Sequence, residues 1–101
     1  MKTNELTGPA LDWAVAKCKY GNDAHTATRN AYSTDWYQGG PIIERGKIQI
    51  TPDESHNMWR AFMTYEGVGY EYWGPTPLIA AMRCYVASEL GDEVGVPDET
   101  I

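Results

Sequence analysis

Tyr72-Trp73-Gly74-Pro75-Thr76-Pro77-Leu78-Ile79-Ala80-Ala81-Met82-Arg83-Cys84-Tyr85 decides the fold. Its first residues close an aromatic strand, and Gly74-Pro75 forms a stiff turn that no strand continues through. Thr76 is placed to cap a helix, with Pro77 at the first helical position, where a missing N–H is no loss. Ile79, Met82, Val86 and Leu90 then recur on a helical stripe widened by Leu78 and Tyr85, and Gly91 ends it.

Working upstream, residues 70–73 read as a strand with Tyr70 and Tyr72 on one face and Glu71 and Trp73 on the other. Residues 66–69 are hairpin material, preceded by a strand over 58–65 with Trp59, Ala61, Met63 and Tyr65 on one face. Arg60, Phe62 and Thr64 face the other way. Residues 47–51 alternate as a shorter strand, and 52–55 make a turn. Residues 9–20 form a first helix, with Thr7 as its cap, Leu6 and Leu11 at the staple positions, and Gly21 as its stop. A polar loop is expected over 21–31. The segment that follows reads as a short helical turn over 33–38, interrupted by Gly39-Gly40-Pro41, and a second turn closed by Gly46. Val94 and Val96 in the tail are candidates for an edge strand. The expected fold is α+β: one domain over residues 1–101, with a small antiparallel sheet of three to four strands. Two capped helices pack on it, with a broken helical segment between them.

Fourteen acidic residues against eight basic ones give a net charge of −6. The eight Lys and Arg are scattered, so the basic patch that nucleic-acid binding requires is missing and no direct nucleic-acid partner is expected. No stretch approaches the ~18 apolar residues of a membrane span. The start of the chain does not read as a signal peptide. Cys18 and Cys84 are expected as buried free thiols, with one disulfide as the alternative. His25 and His56 stand in polar loops without zinc-site spacing, and no nucleophile or metal motif is evident. No cofactor is expected. Among the aromatics, four Trp and seven Tyr against one Phe are unusual. Such rings either fill a thin core or line a binding surface.

Two constellations are candidates for a ligand site. In the first, Trp36 offers a stacking face and Asp35 and Gln38 offer polar edges. Gly39 and Gly40 let the backbone approach a ligand. In the second, Tyr72 and Trp73 stand beside the helix start at Thr76, whose free amides suit a phosphate. Arg60 and Arg83 are the candidate cations. The same residues also fit ordinary caps and core.

Leu6-Thr7-Gly8 with Leu11-Asp12-Trp13-Ala14-Val15-Ala16, Ser33-Thr34-Asp35-Trp36 followed by Gly39-Gly40-Pro41-Ile42-Ile43-Glu44, and the stretch over 74–97 appear in order. In these blocks the chain resembles the small NinX-like accessory proteins of tailed phages and prophages. The resemblance implies a phage-encoded protein of the host bacterial cytoplasm, dispensable for building the virion. It carries no catalytic residues over. The expectation is a non-enzymatic protein that binds and sequesters a small nucleotide-like signal molecule and so antagonises host defence. The alternative is a protein-interaction module that blocks a host defence protein through an aromatic or acidic surface. A pocket of nucleotide size forms most easily between subunits of so small a domain, so a homo-oligomer is expected.

Overall fold

The computed structural model describes residues 1–21 and 30–98. Positions 22–29 of the loop expected over 21–31, with His25, and the last three residues of the acidic tail lie outside the described residues. Helix α1 spans Gly8–Tyr20, α2 Trp36–Gly46 and α3 Pro77–Leu90, and the strands are β1 (Gln49–Asp53), β2 (Met58–Tyr65) and β3 (Val68–Gly74). The expected α+β architecture is present.

At the centre lies α3. Leu78, Met82 and Val86 are buried, and so are Ala80, Ala81, Arg83, Cys84, Ala87 and Ser88. A helix buried on all sides belongs to the core. It packs on β2 and β3 with one side, while α1 and α2 pack chiefly against α3. The small residues at positions 80, 81, 87 and 88 let those neighbours approach closely.

The sheet is antiparallel, in the order β1-β2-β3. Its register aligns Ile50 with Ala61 and Tyr72, and Thr51 with Arg60 and Trp73. Ala61 and Met63 are buried under the helices, so alternation turns Arg60, Phe62, Glu71 and Trp73 to the opposite face. Gly74 ends β3 where a Cβ would stand 2.7 Å from the Ala80 backbone nitrogen. Only glycine permits that approach of strand to helix. Glu66 and Gly67, with φ of 51° and 81°, form the two-residue turn between β2 and β3. The hairpin tip is therefore tighter than the four residues expected.

One helix, α2, replaces the expected broken pair of turns and runs through Gly39-Gly40-Pro41. Tertiary packing overrides local propensity here. A Cβ on Gly39 would lie 2.5 Å from the Tyr32 carbonyl oxygen and 2.6 Å from Leu78 Cδ2, so this glycine is where α2 meets α3 and the segment before it. Pro41 is on the exposed side. Lys47, with φ 50°, closes the helix, donating to the Glu44 and Ile43 carbonyls.

Val94 and Val96 do not extend the sheet. Val94 N–H donates to the Met1 carbonyl at 2.8 Å and the Met1 ammonium to the Val94 carbonyl at 2.9 Å. The N-terminal segment thus supplies the partner that the edge strand was expected to find in the sheet. Thr3 Oγ1 adds a bond to the Gly91 carbonyl at 2.7 Å. Both cysteines are free thiols, Cys84 buried as expected and Cys18 only half-buried. Thr7 takes the capping backbone conformation without a side-chain bond, and the staple leucines Leu6 and Leu11 are fully buried.

Candidate functional site

Most of the residues proposed from sequence to hold a ligand are engaged in holding the fold. Thr76 Oγ1 accepts from the Ile79 N–H at 3.1 Å, and its carbonyl takes the Ala80 N–H. Pro77 has no N–H, so little of the start of α3 remains for a phosphate. Arg83 is 8% exposed. Its Nε donates to the Leu6 carbonyl and its Nη1 to the Trp73 carbonyl, each at 2.8 Å. That guanidinium joins three segments and is not free to receive an anion.

At the start of α2, Asp35 occupies the helix terminus with its own carboxylate. Oδ1 accepts from the Tyr37 N–H at 2.9 Å and Oδ2 from Gln38 Nε2 at 3.3 Å. Gln38 Oε1 in turn accepts from the Ala31 N–H at 2.9 Å. Gly39 faces Leu78 and Tyr32, as described, and only Gly40 has open space beside it. Trp36 and Tyr37 are 55% and 89% exposed.

Arg60 and Trp73 do come together, on the face of the sheet that the helices leave open. They line a cleft of about 480 Å³ with Thr51, Pro52, Asp53, Glu54 and Ser55. Trp73 Nε1 donates to Asp53 Oδ2 at 3.2 Å. Arg60 Nη1 pairs with Glu71 Oε2 at 2.8 Å. Trp73 also borders a second cleft, of about 400 Å³, where Tyr72 meets Glu71, Asp92, Glu93, Lys2 and Asn4. Burial, then the charge of Asp92, pushes the Tyr72 phenol pKa up. Trp36 belongs to the helical layer and Trp73 to the opposite face of the sheet, so the two expected stacking rings do not share a pocket.

Sequence reasoning placed Asp53 in a simple turn and missed its role. Its carboxylate gathers three donors: Ser55 Oγ at 2.8 Å, His56 Nδ1 at 3.1 Å and the Trp73 indole. The Ser55 hydroxyl, then His56, hold the Asp53 carboxyl below the usual carboxylate range. Asp, Ser and His together suggest a hydrolytic triad, but the geometry does not build one. Nδ1 of His56 faces both Ser55 and Asp53, whereas a relay needs the two ring nitrogens to face different partners. What results is an ordered turn that fixes the Trp73 ring above an acidic rim. The only local signal was the Asp53, Ser55, His56 spacing, and its long-range partner Trp73 lies twenty positions away.

No helix among the described residues is long and apolar enough to cross a membrane. No curated protein matches the chain. A family model described as Bacteriophage P22, NinX matches residues 2–89, which takes in α1, α2, the whole sheet and all but the last residue of α3. The chain therefore belongs to the phage NinX family.

Proposed function

We propose that this phage protein is a non-enzymatic interaction module that binds a basic segment of a host protein on the open face of its sheet, and in doing so blocks that protein. The observation that supports this best is Trp73. This residue is 37% exposed and its indole is tethered to Asp53, with Glu54 and Glu71 lining the two clefts it borders. A rigid, half-exposed indole is the usual anchor of a protein interface. Its surroundings select the partner's charge. Arg60 is already paired with Glu71, which leaves Asp53 and Glu54 in the first cleft and Asp92 and Glu93 against Lys2 in the adjoining one. On a chain of net charge −6, such a rim attracts cationic groups and steers them in.

The same charges argue against a nucleotide at Trp73, because its phosphates would meet carboxylates. They also make a second copy of this acidic chain a poor occupant. Antagonism of a host defence protein is the role that suits such a module in a phage, by analogy of context.

The test is affinity capture from an extract of the bacterial host, with wild-type protein and the doubly charge-reversed Asp53→Lys, Glu71→Lys protein side by side. A basic host protein retained by the wild type, released by rising salt and absent from the folded variant is the expected result. Equal retention by both, or a partner insensitive to salt, would contradict the proposal.

A further inference from the structure

A third cleft differs from the two beside Trp73 in the sign of its charge. It lies where α1, α2, β2 and α3 meet, and has a volume of about 400 Å³, within the range of small-ligand sites. Lys19 and Arg45 both line it, against the single carboxylate of Glu89. Of the three clefts described, it is the one where cations outnumber carboxylates. In a chain of net charge −6 that local excess is selective. Arg45 makes no ion pair among the described residues, so its forked donors are available.

The remaining surfaces suit a flat ring. Tyr65 and Tyr85 line the cleft together with Met63 and Ile42. At Gly46 a Cβ would press to 3.2 Å from Ile48 Cγ1, so the helix end stays bare there. Lys19 Nζ stands 5.2 Å from the Tyr32 ring and 5.6 Å from the Tyr20 ring, beside the cleft that its side chain lines.

We infer that this cleft binds a phosphate monoester that also carries a planar nitrogen heterocycle, of the class of a nucleoside monophosphate. Arg45 and Lys19 receive the phosphate, the tyrosine rings flank the planar part, and Glu89 accepts from an amino group on the ring. The protonation states agree. Burial pushes the Tyr85 phenol up to about 12, so it remains a donor. Burial and the Glu89 charge push the Cys18 thiol up to about 12, so it adds no negative charge. The site is on a different part of the molecule from the open sheet face, and its occupancy is independent of the docking proposed there.

The experiment is a titration of the ¹⁵N-labelled full chain with adenosine 5′-monophosphate, with adenosine and inorganic phosphate titrated separately. Saturable shifts at the amides of Lys19, Arg45, Gly46 and Glu89 are expected, with each separate half binding more weakly. Arg45→Gln is expected to weaken binding about tenfold or more, as the loss of a charge-assisted pair implies, and Trp73→Ala to leave it unchanged. Arg45 is exposed, so the variant keeps its fold. No saturable shift with the monophosphate, shifts confined to other residues, or equal binding by Arg45→Gln would each overturn the inference.

Discussion

Arg83 Nη1 donates to the Trp73 carbonyl oxygen at 2.8 Å, tying the middle of the core helix to the end of β3. With its Nε on the Leu6 carbonyl, one guanidinium satisfies two backbone acceptors that would otherwise be left without these bonds. Its pKa is lowered by burial, as expected for a cation with no carboxylate beside it. Arg83→Leu is expected to destabilise the protein by about 3 kcal/mol, because both carbonyls lose a charged donor. Arg83→Lys is not expected to restore this, since one ammonium lacks the fork that reaches both oxygens. Urea denaturation of the three proteins checks it, and a leucine variant as stable as wild type would contradict it.

The adjacent glycines of α2 separate packing from propensity. Gly39→Ala forces a methyl against the Tyr32 carbonyl and Leu78 and is expected to cost about 1–3 kcal/mol. Gly40→Ala meets no atom beyond its chain neighbours, so the crowding of its methyl by the Pro41 ring and the helix preference of alanine oppose each other, and the variant is expected to stay within about 1 kcal/mol of wild type. Thermal unfolding of the two variants checks this, and equal losses in Tm would contradict it.

Ser33 and Asp12 give a second contrast. The Ser33 N–H donates to Asp12 Oδ1 at 2.9 Å, while the Ser33 hydroxyl is buried without a hydrogen-bond partner among the described residues. Ser33→Ala is therefore expected to be neutral or stabilising by up to about 1 kcal/mol. Asp12→Ala removes the acceptor of that N–H and is expected to cost about 1 kcal/mol or more. Burial, against the opposing pull of Ser33, raises the Asp12 pKa, so its charge is less stable in the folded chain than in the unfolded one. Asp12→Asn retains an acceptor without the charge and is expected to match or exceed wild-type stability at pH 7. Denaturation midpoints at that pH decide it.

Asp53 titrates with the opposite sign. Its carboxyl is held below the usual range, first by Ser55 and then by His56. A depressed carboxylate contributes stability above its unfolded pKa, about 3.9, and loses it as pH falls through the lower folded value. The Tm gap between wild type and Asp53→Asn is therefore expected to be widest at neutral pH and to close in acid. A gap that stays constant down to low pH would contradict the hydrogen-bond account of that turn.

Strong local signals made much of the fold legible. Thr76-Pro77 and Gly91 bracket α3 as the sequence implied, and the strand expected over 58–65 has the bounds of β2, with Ala61 and Met63 buried and Tyr65 at its end exposed. Gly39-Gly40-Pro41 misled because its glycine serves a distant partner, Leu78, that no local pattern announces. The site was less legible for the same reason. Thr76, Arg83, Asp35 and Gln38 have the chemistry of ligand contacts, and the fold employs that chemistry on its own backbone. Conversely, Lys19 and Arg45 lie far apart in sequence, and only the packing of α1 and α2 against α3 brings them to one cleft.

Photo-crosslinking in the phage's bacterial host tests the docking proposal most directly. A photoreactive amino acid would be placed at Thr51 or Phe62, both on the open face by register, and at Tyr37 as an exposed control. The account predicts a light-dependent adduct with one basic host protein from positions 51 and 62 and none from position 37. Adducts from position 37 alone, or none from the open face, would contradict it.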